Sequence, residues 1–211
     1  RTLVIWTSDN GAPMARDMDS PARGTNKPLF GRGYTTAEGA FRVPTIMWWP
    51  SKVPAGTTCS ELSTTMDFMP TFARLAGGKA PQDRKIDGHD VRALIFGEPN
   101  AKTPYEVFYY YQLDHLQAIR SGPWKLFLPW AKASRHPRVA KGEAVKPLLF
   151  NVVEDIGSQE DLSNKEPEIV KRLMALAEPA RTDLGDLGKA GNGQRSIGKV
   201  SDPRPQTLPN K

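Results

Sequence analysis

Residues 3–11 read LVIWTSDNG, an apolar run of β-branched and aromatic residues that stops at Ser8, Asp9, Asn10 and Gly11. Asp-Asn-Gly is a strong turn signal, and by itself it predicts a tight hairpin. A hairpin needs an alternating strand directly after the turn, and the Ala-Pro-Met-Ala-Arg-Asp that follows offers none. A continuous apolar run at residues 2–7 instead predicts a strand buried on both faces of an α/β sheet. Ligands gather beyond the carboxyl ends of such strands. Carboxylate and amide oxygens are what a hard cation such as Ca²⁺ or Mg²⁺ prefers. Asp9 and Asn10 are therefore candidate metal ligands, two members of a set whose remainder lies elsewhere.

Downstream, residues 8–42 form a long polar, Gly-rich loop of a length that is usually functional. VPTIMWW (43–49) predicts a second strand, closed by Pro50. Asp67 is expected to cap a helix, FMPTFARLAG, that ends at Gly77, and DVRALIFG (90–97) predicts another. From residue 105 the texture changes to short β-prone segments: YEVFYYYQ, HLQAIRS, PWKLFLP and LLFNV. With a Ser121-Gly122-Pro123 turn between two of them, these predict a small antiparallel sheet. Residues 129–147 read as a basic loop without pattern. Ser163–Glu166 resembles a capping box opening a helix through Ile169, Leu173, Leu176, Ala180 and Leu184, which Pro179 is expected to kink or end. The expected organisation is 1–104 as part of a large α/β domain, 105–184 as a small subdomain of antiparallel sheet and helix, and 185–211 as an extended Gly/Pro/Lys-rich tail.

Composition narrows the classes. The 211 residues carry 29 Lys+Arg against 23 Asp+Glu, a net charge of +6, but the basic residues are scattered and no nucleic-acid motif occurs. No run approaches the roughly 20 apolar residues of a membrane span. A single cysteine, Cys59, excludes an internal disulfide, and it reads as a small structural thiol. The chain starts almost directly on a strand, so an upstream part is expected. An open edge on residues 2–7 would then invite homodimerisation or swapping.

Taken together, GRGYTTAEGAFRVPTIMWWPSKVPAG (31–56), STTMDFMPTFARLAG (63–77), IDGHDVRALIFG (86–97), AIRSGPWKLFLP (118–129) and LLFNVVEDIGSQEDLSNKEPEIV (148–170) resemble the second half of a type I sulfatase of the alkaline phosphatase superfamily. The likeness rests on the S-D-N-G strand end, a G-K-G-x-x-x-E-G-G-x-R-V-P-like loop, W-P-G-K-I-P-A-G and a D-x-x-P-T helix. It implies the alkaline phosphatase-like α/β fold. It also implies a sulfuric ester hydrolase in which Asp9 and Asn10 match two late ligands of Ca²⁺, with Mg²⁺ possible. The family's nucleophile is a formylglycine made within C/S-x-P-S/A-R, which this chain lacks, so the chain alone is expected to be inactive. Hydrolysis would proceed by attack of the hydrated formylglycine on sulfur, loss of the alcohol, then release of sulfate. A sulfate-contacting Lys commonly stands five residues before the family's Glu. Here that position is Gly33, which leaves Arg32 as the replacement and Lys27 as a second candidate. Glu38 and Arg42 read as internal braces of the loop. Of the histidines, His89 reads as structural and His136 as solvated, while His115 is a candidate for selecting the organic part of the substrate. The substrate would be a sulfated small molecule or carbohydrate, and the setting periplasmic or secreted by family analogy. The alternatives are a phosphodiesterase or phosphonate hydrolase of the same superfamily, or a non-catalytic binding or assembly module.

Overall fold

The computed structural model describes residues 2–13, 24–196 and 198–204. Strand β1 (Val4–Thr7) pairs antiparallel with β2 (Thr45–Trp48), in the register Val4 to Trp48 and Thr7 to Thr45. The two hydroxyls of that last pair lie 2.8 Å apart. The chain does reverse after Asp-Asn-Gly, but through some thirty residues rather than a tight turn. The expectation of a strand covered on both faces is corrected. Val4, Trp6, Ile46 and Trp48 are about half exposed, because among the described residues no layer lies over this ribbon. Among the described residues neither outer edge of the ribbon pairs with a further strand.

Between the strands, Glu38–Phe41 form the single helical turn α1. The predicted helix at 68–77 is α2 (Phe68–Leu75), with Pro70 buried in its first turn and Gly77 in the left-handed region at φ 83°. Asp67 does not cap it. Its carboxylate accepts instead from Thr64 N at 2.7 Å, from His89 N at 2.8 Å and from the Tyr105 hydroxyl. It therefore ties together three loops as well as the 3₁₀ turn Thr65–Asp67. The helix α3 is confined to Arg92–Ile95.

The antiparallel sheet predicted beyond residue 105 is present, in the order β3 (Phe108–Gln112), β4 (His115–Ser121), β5 (Trp124–Phe127), β6 (Leu148–Asn151). One face carries Leu116, Ile119, Leu126 and Leu149 and packs on Leu173, Ala177 and Ala180 of α4 (Pro167–Leu184). The other face carries Tyr110, Ala118, Phe127 and Phe150. Phe41 reaches it edge-on, 4.9 Å from the Tyr110 ring. The sheet is thus sandwiched between α4 and the Gly-rich loop. Tyr110 pairs with Ala118 and Tyr111 with Leu116, so Gln117 is an extra residue, a bulge in β4.

Three further expectations are corrected. Ser163–Glu166 forms no capping box; α4 opens on Pro167, whose missing N–H costs nothing at a first helical position. Pro179 does not end α4. The small residues Ala177 and Ala180 press it onto the sheet, and the Tyr109 hydroxyl donates to Leu176 O at 3.3 Å near the interrupted ladder. The basic loop 129–147 is not patternless, because Trp130 and Val145 exchange backbone hydrogen bonds across it. The tail doubles back as β7 (Gly185–Asp186) against β8 (Lys189–Ala190). Cys59 is exposed and packs in no core.

Candidate active site

At the end of β1 the chain is held by backbone contacts that exclude side chains. Gly11 N donates to Ala40 O at 2.9 Å and Gly33 N to Ala12 O at 3.0 Å. A Cβ on Gly11 would lie 1.7 Å from Gly39 O, and one on Gly33 would lie 2.4 Å from Gly11 O. No side chain of any kind fits at either place. This explains physically why the cation expected at position 33 is absent and why Arg32, next to it, is exposed. The strand end and the Gly-rich loop are consequently one unit, with Asp9 and Asn10 beside the Arg32 segment.

Asn10 donates through Nδ2 to Gly11 O at 2.9 Å, its Oδ1 has no hydrogen-bond partner among the described residues, and Asp9 is exposed. These are oxygen donors suited to a hard divalent cation. Among the described residues no group of three His, Cys, Asp or Glu that could hold a metal occurs. The pair therefore fits as part of a ligand set.

The loop is anchored from below by a buried ionic cluster. Glu38 is 1% exposed, and its Oε1 accepts from Lys125 Nζ at 2.9 Å and from the Tyr110 hydroxyl at 3.0 Å. Its Oε2 lies 3.2 Å from Arg120, and Arg42 stands at 3.9 Å. Burial alone would push the Glu38 carboxyl up, but the Lys125 and Arg120 charges outweigh it and hold it below its ordinary range. Lys125, equally buried, also donates to Thr36 O at 2.6 Å and lies 3.6 Å above the Tyr110 ring. Glu38 thus braces the loop as expected, but against the sheet rather than within the loop. The bulge adds a second fastening. Gln117 accepts from the Thr36 hydroxyl at 2.9 Å and donates to Ser134 O at 3.2 Å.

Above this floor lies a groove of about 1300 Å³ walled by residues 24–35, 135–137, Gly157 and Gln159. Lys27 and Arg32, both sequence candidates, line it together. His115 does not. Its ring is buried and sits 4.0 Å from that of Trp130, on β4 beneath the loops. Burial lowers its proton affinity, opposed by the Asp186 and Asp114 charges. His89 is structural as expected, its ring edge-on to Tyr105. His136 was expected in solvent and is instead buried, against Phe127 and in the groove wall. Its Nδ1 accepts from the backbone N–H groups of Arg138 and Val139, both at 3.1 Å, so Nε2 carries the proton. Burial, with the Arg138 charge added, pushes its pKa down to about 4. Arg138 knits the walls: its guanidinium lies 3.8 Å from the Phe30 ring and 4.5 Å from Phe150, and it donates to Ser158 O. No sequence pattern marked Arg138, Gln117 or Lys125, because their roles exist only once loop and sheet meet.

Comparison with known proteins agrees with this architecture. Residues 1–78 match the sulfatase family model, and residues 103–204 match the model of the C-terminal region of aryl-sulfatase. N-acetylgalactosamine-6-sulfatase of Canis lupus familiaris is 37% identical over 194 residues, covering 83% of this chain and 36% of the relative. Arylsulfatase D of Homo sapiens is 35% identical over 213 residues, covering 88% and 35%. The crystal structure of the PsFucS1 sulfatase from Pseudoalteromonas sp. superposes with a TM-score of 0.68 at 23% identity, over 84% of this chain and 36% of that one. With the S-D-N-G strand end and the loop it grips, these matches define the class: the chain belongs to the sulfatase family, with the alkaline phosphatase-like fold. It spans about a third of the length of the curated relatives it matches. Among the described residues no helix is long and apolar enough to cross a membrane.

Proposed function

We propose that this chain supplies the late metal-binding strand end and the oxyanion-gripping loop of an enzyme that hydrolyses sulfate esters. The observation that supports the reading is the backbone seating of β1's end on the Gly-rich loop through Gly11, Gly33 and Gly39, which sets Asn10 beside Gly33, while Arg32 next in the chain lines the groove. When bound, a Ca²⁺ ion (or Mg²⁺ in its stead) would neutralise sulfate oxygens, and a formylglycine outside this chain would supply the nucleophile. The chain's own part is recognition and orientation. Asp9 and the Asn10 carbonyl oxygen hold the cation. Arg32 donates two parallel N–H bonds to sulfate oxygens, and Lys27 adds a point charge on the same groove. Glu38 is a positioning residue: it keeps the loop seated on Lys125 and touches no substrate. A sulfated small molecule or carbohydrate is the substrate class, and a periplasmic or secreted setting is the expectation that the family resemblance carries.

The test uses the complete gene product that contains this chain. An aryl sulfate such as 4-nitrocatechol sulfate is offered beside a phosphate diester and a phosphonate ester. The expected result is sulfate-ester hydrolysis, lost on chelation and restored by Ca²⁺. Arg32→Ala should lower kcat about 100-fold, as removal of one oxyanion donor does. Turnover of the phosphorus esters alone would instead establish the phosphodiesterase or phosphonate hydrolase alternative, and a near-normal Arg32→Ala would refute that residue's role.

A further inference from the structure

Strand β4 breaks its own pleat at Gln117. In a regular strand Leu116 and Ala118, two residues apart, would share a face. Here Leu116 packs towards α4 and Ala118 towards the Gly-rich loop, because the register shifts between Tyr110 and Tyr111 and leaves Gln117 as the extra residue. A bulge of this kind re-aims a side chain. The one re-aimed is an amide, 1% exposed, a group that is costly to bury unless both its ends are paired.

Both ends are paired, and to two different walls of the groove. Ser134 O can only accept, so Nε2 faces it at 3.2 Å, and Oε1 is left to accept from the Thr36 hydroxyl at 2.9 Å. Ser134 directly precedes Arg135 and His136 of one wall, and Thr36 directly follows Arg32–Thr35 of the other. Thr36 is fully buried, and its carbonyl accepts from Lys125 Nζ at 2.6 Å. Thr35 beside it donates its hydroxyl to Arg32 O at 2.7 Å. A continuous path of hydrogen bond, peptide link and hydrogen bond therefore joins the Gln117 amide to the Arg32 backbone. Gln117 itself does not line the groove.

From this path we infer that Gln117 is a positioning residue for Arg32. One buried amide, aimed by the bulge, sets where the Arg32 segment stands relative to the Ser134–His136 wall, and it touches neither cation nor ester. The Arg138 guanidinium, 3.8 Å from the Phe30 ring, ties the same two walls at a second point, so loss of Gln117 loosens the groove rather than opening it. The inference rests on the sulfate-ester reading above.

The test has two readouts in the complete enzyme. The first is hydrogen exchange in peptides covering 30–37, 131–137 and α4. Gln117→Met keeps the side-chain length and removes both bonds. Exchange should quicken roughly tenfold in 30–37 and in 131–137, and change less than about twofold in α4. Thr36→Val, an isosteric cut of one bond, should quicken 30–37 alone. The second readout is a double-mutant cycle in kcat/KM for 4-nitrocatechol sulfate. Gln117→Met should lower kcat/KM about tenfold in the parent but less than about twofold in an Arg32→Ala background, since a guanidinium already removed cannot be misplaced. A merely structural Gln117 would cost the same in both. If Gln117→Met fails to fold, the same cycle and exchange with Thr36→Val decide. Quickened exchange in only one wall of Gln117→Met, unchanged exchange in Thr36→Val, or equal losses in the two backgrounds would overturn the inference while leaving the sulfatase reading intact. Absence of any sulfate-ester turnover in the parent would overturn that reading itself, and exchange would still judge the clamp.

Discussion

Replacing Lys125 by methionine isolates the anchor of the site loop. Methionine matches the lysine stem in length, so the packing against Tyr110 and Phe127 is largely kept while the charge is removed. Glu38, 1% exposed, would be left with Arg120 at 3.2 Å and the Tyr110 hydroxyl at 3.0 Å, and Thr36 O would lose its donor at 2.6 Å. Breaking a buried pair costs about 3–5 kcal/mol, and the surviving Arg120 puts this case near the lower end. The stranded carbonyl adds about 1 kcal/mol, giving roughly 4 kcal/mol in all. For a chain of this size that is a fall in Tm of roughly 10 °C, readable by thermal or urea unfolding. The pH dependence carries a sign. A carboxyl held below its ordinary value of 4.5 contributes stability that is present above that value and lost as pH falls through the folded pKa. The gap between parent and variant should therefore shrink below about pH 4.5. Glu38→Gln added to Lys125→Met should recover part of the loss, since it removes the uncompensated charge. A single-variant cost under about 1 kcal/mol, or a gap that widens in acid, would refute the reasoning.

Three other outcomes follow from the same geometry. Asp9→Ala or Asn10→Ala in the complete enzyme should cost at least about 100-fold in turnover at limiting Ca²⁺, with part regained at high Ca²⁺; measured Ca²⁺ affinity checks it. His136, with its pKa at about 4 in the fold, stays neutral where the unfolded chain becomes protonated. Stability should therefore fall as pH drops from about 6.5 towards 4, by an order of 2–3 kcal/mol, and His136→Phe should flatten that window in unfolding titrations. Gly33→Ala should unseat the loop from Gly11 O, with loss of folded protein, whereas Gly56→Ala, whose Cβ meets nothing within 4 Å, should cost only its positive-φ strain.

Much of this was legible in the residues. The strand end, the two helices near 70 and 92, the four-stranded sheet and the family all follow from local patterns and from the order of motifs. What failed to show were properties of contact. An apolar strand reads as covered whether or not a layer lies over it, so the exposure of Trp6 and Trp48 was invisible. Pro179 reads as a helix stop because the reading weighs only its missing N–H and ring. The pressure of Ala177 and Ala180 on the sheet is a tertiary term. His136 sits among Lys, Arg and Pro and so reads as surface, yet two backbone donors and Phe127 draw it inside. Glu38 was placed correctly as a brace, but its partners on the sheet, Tyr110, Arg120 and Lys125, lie more than seventy residues away and no spacing rule reaches them. Within the site, Arg32 and Lys27 both line the groove, whereas His115, a candidate for selecting the organic part of the substrate, belongs to the floor beneath.

The glycines at 11, 33 and 39 set a limit on how this site can diversify. Where backbone meets backbone at such distances, a gene can explore nucleotide changes freely and still return only glycine. Variation along this part of the groove is therefore left to its other lining positions, Arg32 and Tyr34 beside the glycines among them. A randomised library would best spend its diversity there, with the glycines at 11, 33 and 39 held fixed.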